Sequence, residues 1–239
     1  MALWILLIAH LVADFTLQSA EWAHKKTQKL RYLFGHAIIY AAIMAIAAFA
    51  AIPATTGWLP FLIIAVSHLF IDWVRVVSDK KNTKPAALFC SFAVDQILHI
   101  AIIAILTKVF ALNNQYTTWF ENWTKQIPFG DYLRYVLLFV IIWDPASVFV
   151  KKLSLYVSGK ANAAGKYEEA PVGSIIGKME RLIIAILVLC NEIGAIGFVL
   201  TAKSLARYKQ LSEKDFAEKY LVGTLTSTAI AIIAALLLK

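Results

Sequence analysis

Long apolar runs, broken by short basic or proline-bearing connections, set the pattern of this chain. Lys and Arg are absent from residues 1–24, 32–74, 85–107, 135–150, 182–202 and 220–238. A hydrocarbon core about 30 Å thick takes about 20 helical residues. Runs of that length fall near 2–20, 33–52, 60–77, 86–108, 132–151, 181–201 and 220–238. They are continuously apolar, without the alternation that marks barrel strands. The pattern therefore predicts an all-α integral membrane helical bundle of about seven transmembrane helices. Pro53 and Pro60 bracket the expected turn after the second run, and Asp144-Pro145 predicts a kink or break in the fifth. The Gly173 and Gly177 spacing suits either helix contact or a plain turn before the sixth run. Residues 1–110 read as a four-helix part and 111–239 as a second membrane part.

The connections give an orientation. Lys25, Lys26, Lys29 and Arg31 form one basic loop, and Arg75, Lys80, Lys81 and Lys84 form the next. Positive loops stay in the cytoplasm, which puts the N-terminus and the loop with Trp119 and Trp123 outside. Lys152, Lys160, Lys166 and Lys178 fit an inside connection. Lys203, Arg207, Lys209, Lys214 and Lys219 resist the scheme, because seven spans would leave them outside; an amphipathic surface helix is one way to place them. The first run lacks a basic start and is interrupted by His10 and Asp14, so it is expected to stay as a helix rather than be cleaved.

Composition narrows the function classes. Hydrophobic residues make up 60% and charged residues 16% of 239, and the mean hydropathy is +0.70. An ordinary soluble enzyme, a disordered chain and a disulfide scaffold are excluded. The net charge of +8 resides mostly in connections, where it orients the chain and meets anionic lipid headgroups, so membrane lipid is the expected partner and nucleic acid is not. Cys90 and Cys190 form no Cys-x-x-Cys pair and read as packing residues inside apolar runs.

The chemistry lies in ionisable residues within the runs, which are costly there and turn to the bundle interior. The first run carries His10 and Asp14, the second His36, the third His68 and Asp72, and the fourth Asp95 and His99. Three of the chain's seven aspartates thus stand four residues from a histidine, on one helix face. Counted from the span ends, all seven groups fall in one layer on the cytoplasmic side of the midplane. No Lys or Arg lies in the cation-free stretches 1–24, 32–74 and 85–107 that hold them, so Asp14, Asp72 and Asp95 are expected to take up protons, pair with charged histidine or coordinate a metal. Four His and three Asp suit a divalent ion such as Zn, Mn or Fe, with room for two ions, or for one ion with some aspartates orienting the ligands. Gln18 and Gln96 are placed to bond to a ligand or a water, while His24 reads as a solvated loop histidine. In the second half Arg181, Glu192 and Lys203 recur at eleven-residue spacing and share a stripe if one helix holds them; with Arg207 they are candidate binding groups for an anionic substrate.

The runs His10-Leu-Val-Ala-Asp14-Phe-Thr-Leu-Gln18, His68-Leu-Phe-Ile-Asp72 and Asp95-Gln96-Ile-Leu-His99, together with His36, resemble the bacterial membrane family catalogued as domain of unknown function 3307. The resemblance continues through Glu180-Arg181-Leu-Ile and Gly197-Phe-Val-Leu-Thr-Ala-Lys203-Ser and implies a fold without an assigned activity. The His-x-x-x-Asp spacing of the first four runs is also similar to that of the membrane-bound metal-dependent hydrolases, which implies a metal and a hydrolytic reaction. The leading expectation is an intramembrane metal-dependent hydrolase acting on a lipid-like or prenyl-phosphate substrate, and the resemblances imply the bacterial inner membrane as its location. In such an enzyme Asp14, Asp72 or Asp95, whichever is not a ligand, would act as general base. A divalent-metal or proton-coupled transporter and a membrane scaffold with packing His–Asp pairs are the competing classes.

The orientation has a direct test. A single cysteine at Thr27, in a background lacking Cys90 and Cys190, is expected to be protected from an impermeant thiol reagent added to intact cells. Labelling from outside would reverse the topology.

Overall fold

Ten α-helices and no strand make up the described residues of the computed structural model, which are 1–82, 84–159 and 171–239. Lys160 and Lys166, two cations of the expected inside connection, lie outside the described residues. The helices are α1 (Ala2–Leu11), continued by a π-helical turn (Val12–Thr16), α2 (Ala20–Gln28), α3 (Leu30–Ala51), α4 (Ala54–Lys81), α5 (Pro85–Val109), α6 (Thr118–Thr124), α7 (Phe129–Val157), α8 (Pro171–Leu189), α9 (Ala195–Ala206) and α10 (Lys214–Leu238). Five of them, α3, α4, α5, α7 and α10, are long and apolar enough to cross a membrane, and a sixth span is reached if α1 and α2 count as one bent pair. The contacts divide the chain into two compact units, Met1–Leu137 and Leu138–Lys239, so the division falls within α7 rather than at the expected 110/111.

Unit 1 is an antiparallel ring in which α1 packs on α3, α3 on α4, α4 on α5 and α5 on α1. Its inner and outer faces invert the pattern of a soluble protein. Ile38, Ile46, Phe70, Ile97 and Ile105 point outward, whereas His, Asp and Lys side chains are buried inside. Such a surface suits lipid, and the chain is a membrane protein. Cys90 and Cys190 are exposed rather than packed, a correction with a simple reason: next to lipid an outward apolar face is as favourable for a thiol as the core.

The start of α1 is tied to the segment after α5, where the Tyr116 hydroxyl accepts from the Ala2 amide at 2.9 Å. Below it Leu6, Met44, Ala48, Ile64, Ile103 and Leu106 form an apolar half-core. At its other end the chain bends by 80° into α2. The polar sequence Glu21-Trp-Ala-His-Lys-Lys-Thr-Gln28 cannot continue a span. The Ser19 side chain caps α2 by accepting from the Trp22 amide, and Trp22 then anchors it: its indole donates to the Tyr32 carbonyl at 3.0 Å. A Cβ at Gly35 would lie 3.0 Å from the Trp22 ring, so glycine is what lets α2 approach α3.

Two expectations about turns change. The second turn is only Ile52-Pro53, and α4 begins at Ala54 with Pro60 inside it. The expected sixth span, 181–201, is not one helix. The chain leaves α8 at Cys190–Gly194, with Asn191 in the left-handed region (φ 64°), and α9 returns. The Lys203 ammonium meets the Glu180 carboxylate at 2.5 Å, whereas in one helix those residues would stand about 34 Å apart. Ser204 likewise reaches Tyr220 of α10. Asn191, Glu192 and Gly194 in succession are the local reason, since all three are poor in a helix interior facing lipid. The return leads Lys203, Arg207, Lys209, Lys214 and Lys219 back toward the end at which α8 begins. No surface helix is built from 203–219: Lys203 belongs to α9, and Lys214 and Lys219 open α10.

A protein carrying Glu180→Cys and Lys203→Cys, with Cys90 and Cys190 removed, is expected to form an intramolecular cross-link under mild oxidation. A continuous span over 181–201 would give none.

Candidate metal centre

All seven predicted ligand residues are buried in unit 1 and meet in one layer. α4 and α5 present His68 with Asp72 and Asp95 with His99 at regular i,i+4 spacing. The first pair differs, because Asp14 sits in the π-helical turn, where the Leu17 amide bonds to the Val12 carbonyl at 2.9 Å. Each residue of that turn rotates by less than in an α-helix, so Asp14 is re-aimed toward α3. There its Oδ1 lies 3.1 Å from His36 Nε2.

Around this contact the ligand atoms crowd. His36 Nε2 and His68 Nε2 are 3.2 Å apart, and each lies 3.5 Å from Asp72 Oδ2. The set Asp14, His36, His68 and Asp72 offers one atom each, all within 4.8 Å of one another, and could hold a metal ion. A tetrahedral ion with ligands at 2.0–2.2 Å has edges of about 3.3–3.6 Å, and four of the six edges of this set, 3.1–3.5 Å, are close to that. His10, Asp14 and His99 form a second such group, with Asp14 common to both.

His10 Nε2, His68 Nδ1, both nitrogens of His99, and one oxygen each of Asp72 and Asp95 have no hydrogen-bond partner. Buried polar atoms are rarely left so; those of His68 and Asp72 are not the atoms that face the cage, while those of His10 and His99 belong to residues of the second group, and the donor set as a whole fits a divalent cation. Asp95 stands outside both groups: its Oδ2 accepts from Arg75 Nη1 at 2.8 Å and from Gln96 Nε2 at 3.0 Å. Gln96 also donates to Asp14 Oδ2 at 2.7 Å, which ties α5 to α1.

Three further residues belong to the layer. Tyr40 stacks on His68 with ring centroids 3.5 Å apart and planes within 2°, and its hydroxyl lies 3.2 Å from His10 Nδ1. When His10 Nδ1–H donates to that oxygen, Nε2 turns its lone pair inward as a ligand would. Tyr40 follows His36 by four residues, a spacing that the sequence displays. Lys26 and Arg75 correct the expectation that no cation reaches the aspartates. Lys26, only 6% exposed, donates to Asp72 Oδ2 at 2.8 Å, and Arg75 takes Asp95. Both were placed among loop cations. The bend at α2 carries Lys26 back over the layer, and α4 runs on past Val74, which keeps Arg75 one turn from Asp72. His24, by contrast, is exposed and bonded to Gln28, as a solvated histidine would be.

The second candidate set does not converge in unit 2. Arg181, 3% exposed, donates to the Ile142 and Trp143 carbonyls and to the Ser147 and Ser227 hydroxyls. Pro145 lacks an amide donor and crowds the turn before it, which opens carbonyls of α7 that Arg181 then satisfies. Gly177 leaves room for the guanidinium, 3.4 Å from where its Cβ would be. Lys203 turns instead to Glu180, Glu192 is exposed at the break, and Arg207 closes α9. The stripe required one continuous helix, and the reversal after Leu189 removes it.

The sequence profile of a protein family of unknown function, domain of unknown function 3307, matches residues 2–127. The chain belongs to that family, and the whole His/Asp layer lies within the matched part. The match is with the first of the two families that the motifs resemble and lends no support to the hydrolase resemblance. Neither the curated proteins nor the solved structures gave a match.

Arg181→Leu is expected to lower the stability of the detergent-purified protein by about 2–5 kcal/mol, because buried acceptors lose a charged donor. Metal content should not change. An unaltered melt would detach Arg181 from the Pro145 turn.

Proposed function

We propose that this protein is an intramembrane metal-dependent hydrolase of the bacterial inner membrane, with the basic segments on the cytoplasmic side and a lipid-like substrate. The observation that carries the reading is the cage of Asp14, His36, His68 and Asp72, with separations of 3.1–3.5 Å between its facing atoms. Its spacing favours Zn²⁺ over ions that prefer six ligands, such as Mn²⁺ or Fe²⁺. Held by three of these four residues, with the fourth position open to water or substrate, the ion would supply Lewis-acid polarisation of an ester or phosphoryl oxygen and lower the pKa of a water molecule.

The chain's own residues fall into roles around it. Asp14 and Asp72 bring negative charge, and His36 and His68 bring neutral nitrogen. Asp95, held at Oδ2 by Arg75 and Gln96, keeps Oδ1 without a partner and is the aspartate best placed as general base. Tyr40 fixes the rings of His68 and His10. His10 and His99 offer a second group for a substrate oxygen or a further ion.

Two features favour an enzyme over the competing classes. Polar groups extend from the layer to one end only, through Lys26, Arg75 and Asp79. Toward the other end the buried residues of unit 1 are apolar among those described, apart from Thr107, whose hydroxyl bonds to the Ile103 carbonyl. An ion pathway needs polar groups from both sides. A packing network, for its part, would satisfy its own atoms, whereas here imidazole nitrogens of three histidines lack partners.

Removal of metal by a chelator is expected to lower the melting temperature of the purified protein. His36→Ala, His68→Ala and Asp14→Asn should each weaken metal affinity by about 10–100-fold or more, while Asp95→Asn should retain metal and lose turnover. A wild-type protein that takes up no divalent metal at any loading would reduce the layer to a packing network.

A further inference from the structure

Lys26 is the one buried residue of α2, and its neighbours His24 and Gln28 are exposed. The helix thus lies over the polar end of unit 1 and reaches into the layer with a single ammonium group. The charges around that group can be paired one by one. Arg75 and Asp95 neutralise each other at 2.8 Å. Asp79, 3.7 Å from Arg75 and one turn nearer the polar end, is followed by the exposed Lys80 and Lys81. Asp14 and Asp72 together balance one divalent ion. Lys26 bonds to the same Asp72 oxygen that faces His36 and His68, so in a metal-loaded centre it would have to share its one counter-ion with the cation. A buried charge in that condition is expensive unless an opposite charge joins it.

We propose that Lys26 is the recognition group for an anionic oxygen of the ligand, and that this ligand is a phosphate-type oxyanion which the loaded centre binds and the metal-free protein does not. The inference rests on the metal reading above. Its chemistry is that of a phosphate group, whether on a lipid headgroup or free. Entry is from the surface on which α2 lies, since the opposite half of the core is apolar. This moves anion recognition from Arg181, whose donors are engaged by α7 and α10, to a residue in the matched family segment.

The sign of the metal effect separates this role from a positioning one. Lys26 competes with a cation for Asp72, so Lys26→Gln should hold metal as tightly as the wild type or more tightly. The same variant should bind inorganic phosphate about tenfold more weakly or worse. Lys26→Arg, which keeps the charge, should restore phosphate binding. The measurements are metal content and calorimetric titration of detergent-purified, Zn-loaded protein with inorganic phosphate, then with phosphatidic acid in mixed micelles. Displacement of phosphate by phosphatidic acid, with the same dependence on Lys26, assigns the group to a lipid; phosphate binding alone assigns it to a free anion. Equal phosphate affinity in loaded wild type and Lys26→Gln overturns the proposal, as does loss of metal in Lys26→Gln with phosphate affinity per loaded centre unchanged. Failure of the wild type to take up metal overturns the metal reading itself, and is seen before any phosphate is added.

Discussion

Asp14, Asp72 and Asp95 are carboxylates held away from water in the interior of a membrane protein, and each has to meet positive charge there. Much of unit 1 follows from that constraint. α2 bends by 80° and carries Lys26 to Asp72. α4 runs past the apolar stretch so that Arg75 reaches Asp95 on α5. The π-helical turn re-aims Asp14 at His36, and Gln96 ties Asp14 to Asp95. Even Gly35, next to His36, serves it, because Trp22 could not otherwise hold α2 against α3. The counting of charge remains open by one in the direction a divalent cation corrects: three carboxylates face two cations within the layer.

The same constraint explains which parts were legible in the sequence. Apolar runs of span length are read directly, and α3, α4, α5, α7 and α10 lie where the runs do, with polar ends added. The four-residue His–Asp spacing was also visible, since ionisable residues in an apolar run stand out and helix periodicity gives their common face. Lys26 was not visible. Next to Lys25 and Lys29 it reads as one more loop cation, and only the bend between Thr16 and Ala20 turns it inward. Arg75 lies inside the 60–77 run, three residues after Asp72, but reads with the basic segment that follows it. Tyr40 was overlooked because an aromatic residue in a membrane run is ordinary, although its distance from His36 placed it on the ligand face. The break at Cys190–Gly194 was marked by Asn191 and Gly194, but the strong apolar runs on both sides outweighed it.

Unit 2 meets the problem of buried polarity in backbone form. Pro145 lies inside a helix that has no water to satisfy the carbonyls it disturbs. Arg181 supplies the donors, and its charge is spread over carbonyl and hydroxyl dipoles rather than matched by one acid. The neighbouring cations are each matched, Lys178 by Asp144 and Lys203 by Glu180. The second of these fixes α9 against α8 and so makes the return of the chain a packed element. Arg181 is therefore explained by the turn it completes, which leaves the described residues of unit 2 without a cluster of polar groups lacking partners of the kind found in unit 1.

One oxygen atom links the two halves of the functional reading. Asp72 Oδ2 accepts from Lys26 and faces both His36 and His68, so the ammonium and a cation in the cage compete for it. Competition for a shared partner is a coupling free energy and acts in both directions. On the proposed reading, whatever draws Lys26 away from Asp72 would raise the affinity of the cage for an ion, and an ion in the cage would loosen the hold of Lys26 and, with it, of α2. An anionic ligand at the ammonium therefore stabilises the loaded centre without touching a ligand atom. Since α2 is anchored by Trp22 and Tyr32 on one side and by Lys26 on the other, the proposed metal reading makes the covering helix and the His/Asp cluster one thermodynamic unit.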